Sequence, residues 1–242
     1  MSYCFISDLH LEKENKVRTE AFFRFLKELP KETERLYILG DFFESWIGDD
    51  EDNDFIKEVK KNLSNLSQKS IQTFFINGNR DFLLGDIFAK ETGIKILKDP
   101  TAETMFNKRI LLMHGDTLCT DDTDYQAFRK LTRDKSWKKD FISKTLQERR
   151  EIAKDLREKS KEATSQKKED IMDVSQQEVE RIIQEHNVDI LIHGHTHRPD
   201  THNLSLNENQ AQRIVLGDWD QYGWYIWMDS DSCELKSFLI WI

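Results

Sequence analysis

Cysteine, proline and glycine are all scarce in this chain: three, three and nine among 242 residues. Each shortage excludes something. Cys4, Cys119 and Cys233 are odd in number, far apart and without a Cys-x-x-Cys pair. That excludes a disulfide framework and fits a reducing compartment. So little glycine and proline excludes a fibrous or low-complexity chain. No apolar run approaches the ~20 residues that span a bilayer. The start, Met1-Ser2-Tyr3-Cys4-Phe5-Ile6, lacks the basic and then long apolar pattern of a secretory signal. The expectation is a cytosolic protein that can still touch a membrane surface.

What is present is a normal core fraction, 38% hydrophobic, under a heavily charged surface, 33%. The length fits one domain, or one domain with a substantial insertion. Net charge is −9, unevenly spread: residues 129–168 carry 15 Lys or Arg against 7 Asp or Glu, a local +8 that leaves −17 elsewhere. A basic block in an acidic chain points either to an anionic partner or to a long, salt-bridged, solvated helix.

Apolar runs at 3–7, 36–39 and 71–76 read as buried strands, and Ala21, Phe22, Phe25, Leu26 and Leu29 recur at helical spacing up to Pro30. Phe55, Ile56, Val59, Leu63 and Leu66 mark a second amphipathic helix. The βαβαβ order predicts parallel strands with helices on their faces, an α/β fold. A hairpin turning at Asn107-Lys108 follows, then the basic block, which carries no strand signal and reads as helical. A helix around Val179, Ile182 and Ile183 leads into a strand over 188–192, and short strands near 201–206, 213–217, 224–228 and 235–241 read as antiparallel hairpins.

Every major strand stops at residues able to hold a metal. The five endings are Asp8-Leu9-His10, Gly40-Asp41, Gly78-Asn79-Arg80-Asp81, His114-Gly115-Asp116 and His193-Gly194-His195-Thr196-His197. In open α/β sheets ligands bind beyond the carboxyl ends of the strands, so these clusters should converge. Imidazoles, carboxylates and an amide without thiolate suit Mn²⁺, Fe²⁺ or Zn²⁺. Seven ligands exceed one tetrahedral site but suffice for two ions sharing a carboxylate. Singly, each has a plain structural reading: Asp8 or Asp41 as a helix cap, His114 as a core histidine, Asn79 as a turn residue. Those readings do not explain five strands ending alike. Strand alternation would put His193, His195 and His197 on one side, although Gly194 can break that geometry.

These motifs resemble the signature of the calcineurin-like metallophosphoesterase family. The resemblance implies a sandwich of mixed sheets flanked by helices. Its core would be residues 1–120 and 171–242, with 121–170 inserted as a helical cap. It implies one ion held by Asp8, His10, Asp41 and His197, and a second by Asp41, Asn79, His114 and His195, with Asp41 bridging. His193 has no ligand role in that pattern. The likeness narrows to the branch of the family that hydrolyses UDP-2,3-diacylglucosamine to UMP and 2,3-diacylglucosamine 1-phosphate in lipid A synthesis. It is carried by Tyr37 to Asp50, Phe75 to Gly85, Met113 to Asp122, Ile171 to Val174 and Ile192 to Pro199. It implies Arg80, Asn79 and His195 as catalytic residues, and substrate contacts from those three with Asp122, Ser160, Thr164 and Lys167. Thr164 stands where asparagine is expected, which shortens that contact. Two Mn²⁺ ions are the implied cofactors, with two-metal activation of water attacking the UMP phosphorus.

Arg80 also carries a physical argument. Many relatives have histidine there, able to protonate a leaving alkoxide, whereas arginine stays charged and cannot act as an acid near neutral pH. It binds phosphate oxygens bidentately instead, which favours a leaving group needing no proton, such as a sugar phosphate leaving a pyrophosphate. Spacing isolates the cap. Asp8 to Asp41, Asp41 to Asn79 and Asn79 to His114 span 33, 38 and 35 residues, but His114 to His195 spans 81. The expected partners are the lipid-linked UDP sugar and an anionic membrane surface, with the protein peripheral on the cytoplasmic face of the inner membrane. Trp137-Lys138-Lys139-Asp140-Phe141 and Glu148-Arg149-Arg150-Glu151 make this cap polar for that task. No base-stacking platform for nucleic acid is evident, and no obligate protein partner is expected. A phosphoesterase for a soluble nucleotide and a metal-free scaffold on the same fold remain the alternatives.

Overall fold

The structure is a computed structural model that describes residues 1–165, 173–206 and 209–241. Eleven strands form two sheets among the described residues. The first sheet contains β1 (Ser2–Ile6), β2 (Thr33–Ile38), β3 (Gln72–Phe75), β4 (Lys95–Ile96), β10 (Tyr222–Met228) and β11 (Cys233–Leu239), ordered β11-β10-β1-β2-β3-β4. The second contains β5 (Thr101–Met105), β6 (Lys108–Leu112), β7 (Ile190–His193), β8 (Asp200–Leu206) and β9 (Asn209–Val215), ordered β5-β6-β7-β9-β8.

Side-chain alternation explains the continuous apolar runs, because both faces of the central strands are covered. Tyr3 and Phe5, Tyr37 and Leu39, Ile110 and Leu112, and Ile190 and Ile192 meet between the two sheets. Their neighbours Cys4, Ile6, Leu36 and Ile38 pack outward beneath α1 (Lys16–Glu28) and α2 (Asp54–Gln68). On the far side Leu111 and Leu191 pack against Val179, Ile182 and Ile183 of α7 (Gln176–His186). The helices start where the chain supplies caps: Asn15 accepts from Arg18 N, and Asn53 from Ile56 N. The parallel pairings β1–β2–β3 and β6–β7 aim five strand ends at one edge of the sandwich.

Between β6 and β7 the chain forms α4 (Thr123–Arg133), α5 (Lys135–Ser143) and α6 (Leu146–Ser165). Asp134 ends α4 and caps α5, accepting from Ser136 N and Trp137 N. Arg149 fastens α6 to the core: its side chain is 3% exposed and donates to Ile47 O, Lys144 O and the Asp50 carboxylate. No helix among the described residues is long and apolar enough to cross a membrane.

Two expectations need correcting, and two short elements add to the picture. The hairpin turns at Phe106-Asn107, both at positive φ (49° and 63°), and Lys108 is already in β6. The C-terminal strands are not all antiparallel, since β9 pairs with β7 in parallel while β10 and β11 cross to the first sheet. The helix α3 (Asp86–Thr92) and β4 were not foreseen. One helix turn's worth of apolar residues is too short for periodicity to declare itself.

Candidate metal centre

Backbone hydrogen bonds lash the strand-end loops together. Asp8 N donates to Gly40 O at 3.0 Å, His10 N to Asp41 O at 2.9 Å and Gly194 N to His114 O at 2.8 Å. Two clusters of side chains result. Asp8, His10 and His197 have ligand atoms within 4.8 Å of one another, and so do Asp41, His114 and His195. Asn79 joins the second, its Oδ1 2.9 Å from both His114 Nε2 and His195 Nδ1. In the first, His197 Nε2 lies 3.3 Å from His10 Nε2 and 3.4 Å from Asp8 Oδ1.

The donor atoms fit a cation. Asp8 Oδ2 accepts from Ser7 Oγ and His195 N, but Oδ1 is buried with no hydrogen bond among the described residues. A bare buried carboxylate oxygen beside imidazoles is costly unless a positive charge meets it. His114 Nδ1 donates to Leu39 O at 2.9 Å, which turns Nε2 inward. Burial disfavours charge on His114, yet the Asp41, Asp8 and Asp116 carboxylates outweigh it and push the ring up to about 9. Burial and the neighbouring His114 charge push His195 down to about 4. Burial opposes ionisation of Asp8 too, but His197, His114 and His10 hold its carboxyl well below the usual range. Negative charge concentrated this way is what a divalent ion neutralises in place of protons.

The backbone is strained here. Asp8, His10, Asp41, His195 and His197 all sit at positive φ, between 48° and 68°. Left-handed residues other than glycine cost ~1–3 kcal/mol each and persist where surroundings over-determine them. Two glycines make room for the carboxylates. A Cβ on Gly78 would lie 2.2 Å from Asp41 Oδ1, and one on Gly194 2.1 Å from Asp8 Oδ2.

His193 is excluded from both clusters. Its ring is fully buried, Nδ1 donates to Gly194 O at 2.9 Å, and burial with nearby Arg213 pushes it down to about 3. The strand ends at His193, and the positive φ of His195 and His197 breaks the alternation that would have aligned all three.

Several contributors carried no sequence signal of their own. Asp81, fully buried, accepts from Gly78 N and Phe42 N, tying the loops after β2 and β3. Asp116 accepts from Tyr125 Oη and Arg129 Nε at 2.7 Å each, docking α4 beside His114. Both lie inside motifs singled out above, but spacing cannot separate a ligand from a strut. Glu44 lies 2.8 Å from His10 Nδ1, and Asp218 3.8 Å from His197 Nδ1.

Arg80 N donates to Asp41 Oδ1 at 2.8 Å, while its guanidinium borders two depressions. One is an open cleft of about 1100 Å³ under α6, lined by Glu12, Glu44, Trp46, Arg80 and Arg157. The other is a slot that runs from Asn79 and Arg80 between Phe82, Phe128, Trp137, Phe141 and Leu156. Trp137 and Phe141 stack with centroids 5.1 Å apart, and Arg133 lies 4.1 Å over the Phe82 ring. Ser160 is exposed on α6 and lines both. Asp122 Oδ1 caps α4 by accepting from Tyr125 N. Lys167 and the side chain of Thr164 lie outside the described residues.

A carboxylate–imidazole–amide centre at the strand ends of a two-sheet sandwich defines a metal-dependent phosphoesterase. The calcineurin-like phosphoesterase pattern matches residues 1–199, and the chain belongs to that family. Among similar proteins is a UDP-2,3-diacylglucosamine hydrolase of Cellvibrio japonicus, 43% identical over 98% of this chain and 99% of the relative. Another of the same name, from Salmonella paratyphi B, is 44% identical over 98% and 99%. A solved structure described as a novel archaeal phosphodiesterase shares the fold, with a TM-score of 0.52 at 15% identity over 99% of both chains.

Proposed function

We propose that this hydrolase cleaves the pyrophosphate of UDP-2,3-diacylglucosamine, giving UMP and 2,3-diacylglucosamine 1-phosphate. The observation that carries the reading is one continuous space joining phosphate-binding groups to an apolar slot. Asn79 and Arg80 line it together with Phe82, Phe128, Trp137 and Phe141. A substrate with a pyrophosphate at one end and acyl chains at the other needs both, at ~0.8 kcal/mol per CH₂ buried. The names and near-full-length similarity of the relatives support the same substrate.

Asp8, His10, Asp41 and His197 would hold one ion, and Asp41, Asn79, His114 and His195 a second, with Asp41 shared. Two divalent cations, with Mn²⁺ among those that suit this donor set, would supply Lewis acidity at the phosphoryl oxygens and lower the pKa of a bound water. The protein's own part is orientation and charge. The Arg80 side chain is 31% exposed and lines both depressions, so its guanidinium is accessible to a phosphate oxygen. Its fixed charge stabilises negative charge building at phosphorus and offers no proton to the leaving group. A sugar phosphate leaves without one. Asn79 and His195 contact each other beside Arg80 and would fix the same phosphoryl group. Ser160 and Asp122, with Thr164 and Lys167, would contact the substrate.

The protein is further proposed to sit peripherally on the cytoplasmic face of the inner membrane. Phe128, Leu131 and Ile142 are exposed by 37%, 57% and 42% on the same helices that carry exposed Lys130, Lys135 and Lys139. Apolar and basic groups together suit an anionic lipid surface. Co-sedimentation with anionic vesicles at low salt, lost at high salt, is the expected behaviour.

The deciding experiment incubates the protein with Mn²⁺ and the lipid-linked UDP sugar and measures UMP. Release only from unacylated UDP sugars would instead identify a soluble-nucleotide hydrolase. No hydrolysis of any phosphate ester or anhydride would identify a scaffold.

A further inference from the structure

Glu44 touches three functional elements at once. Oε2 lies 2.8 Å from His10 Nδ1, though not in line for a hydrogen bond, while Oε1 meets Arg157 Nη2 and lies 3.9 Å from Arg80 Nη1. The side chain is only 17% exposed, and its backbone is held where Glu44 N donates to Leu11 O at 3.1 Å. We propose that Glu44 is a positioning residue: one carboxylate orients the His10 ring and gathers Arg157 of α6 and Arg80 over the metal centre. The proposal deepens the metallohydrolase reading and rests on it.

The chemistry divides between the two oxygens. A carboxylate beside Nδ1 favours the tautomer with its proton there, leaving the Nε2 lone pair facing His197 and the proposed ion. The other oxygen balances two guanidinium groups that border the open cleft. Without it, Arg80 and Arg157 repel each other and lose their common anchor. An arriving phosphate can then share guanidinium donors already gathered at one point, and less ordering remains for binding to accomplish. Glu44 thereby links α6, which Arg149 fastens at Ile47 and Asp50, to a candidate ligand on the loop after β1. Its place in the chain, three residues after Asp41, gives no hint of this.

The test uses the full chain in four variants: Glu44→Ala, Glu44→Gln, Arg157→Ala and the double Glu44→Ala/Arg157→Ala. Mn²⁺ affinity is measured by chelator competition in the absence of substrate, and kcat and KM are measured by UMP release. Glu44→Ala should weaken Mn²⁺ binding by ~10–100-fold, the usual loss for a carboxylate that orients a ligating histidine. Glu44→Gln keeps an oxygen for His10 and should recover most of that affinity, while KM stays raised because the charge holding the arginines is gone. The double variant should have the KM of Glu44→Ala alone. Mn²⁺ affinity of Glu44→Ala within twofold of wild type, or KM effects that simply multiply, would overturn the proposal. Wild-type protein releasing no UMP would overturn the functional reading instead, and the Mn²⁺ measurements would still judge Glu44.

Discussion

Arg149→Met is the sharpest test of how helices α4 to α6 are held. The side chain is 3% exposed and makes four hydrogen bonds: to Ile47 O at 2.9 Å, to Lys144 O at 3.1 Å and two to Asp50. Methionine fills most of the space but donates nothing. The Ile47 and Lys144 carbonyls each lose a partner, at about 1 kcal/mol apiece. The Asp50 pair is worth less than a buried one, because that carboxylate is 54% exposed and stays solvated when released. A total of about 2–4 kcal/mol follows, which for a chain this long lowers the melting temperature by roughly 5–12 °C. The adjacent Arg150 is a built-in control. It is 55% exposed and, among the described residues, its ion pair is with Glu51, so Arg150→Met should cost under about 1 kcal/mol. Differential scanning calorimetry measures both, and limited proteolysis across 123–165 detects undocking that spares the core. Equal melting temperatures for the two variants with unchanged proteolysis would refute the assignment of Arg149 as the fastening point.

Arg80→Ala should lower UMP release by roughly 10²-fold or more, the scale of losing one electrostatic stabiliser; steady-state kinetics at saturating Mn²⁺ decide it, and a variant with full rate removes Arg80 from the mechanism. Gly78→Ala puts a methyl group 2.2 Å from Asp41 Oδ1 and 2.3 Å from Asp41 N. It should therefore weaken Mn²⁺ binding by tenfold or more while the sandwich still folds, as chelator competition and circular dichroism would report; wild-type affinity would mean that Asp41 is not held where it appears. His193, held down to about 3 by burial and Arg213, takes its proton in the unfolded chain near 6.5 but not in the folded one. The unfolded state then binds more protons between those values, so stability falls as pH drops from about 6.5 toward 3, by up to about 1.4 kcal/mol per unit. Between pH 8 and pH 5, urea titrations of wild type and His193→Gln should converge by about 2 kcal/mol; a constant gap would show that His193 does not titrate this way.

Fold elements with long apolar patterns were readable because burial imposes its period on the residues. Ala21, Phe22, Phe25 and Leu26 face the sheet as their spacing requires, and Ile56, Val59, Leu63 and Leu66 do likewise. Strand direction was harder. Nothing in Gln212, Arg213, Ile214 and Val215 says that they lie parallel to β7, because pairing is decided by which edge is open once the chain returns. Helix α3 has only Phe88 and Thr92 buried, too few for a periodic signal.

The centre itself shows the same division between chemistry and support. Side chains that supply ligand atoms cluster at strand ends and declare themselves by type, so Asp8, His10, Asp41, Asn79, His114, His195 and His197 could be nominated together. Residues that hold them are ordinary in type and are defined by geometry alone. Asp81 and Asp116 look like ligands yet accept hydrogen bonds from backbone and from α4. The Leu39 carbonyl that orients His114 cannot be read from a side chain at all. Nor can positive φ at five of the seven, which L-residues adopt only when surroundings force them. That strain ties ligands and struts into one object: each left-handed residue turns its side chain inward because a neighbouring loop holds its backbone, as Gly40 O holds Asp8 N and Asp41 O holds His10 N. Loosening any one loop should therefore disturb ligands on the others.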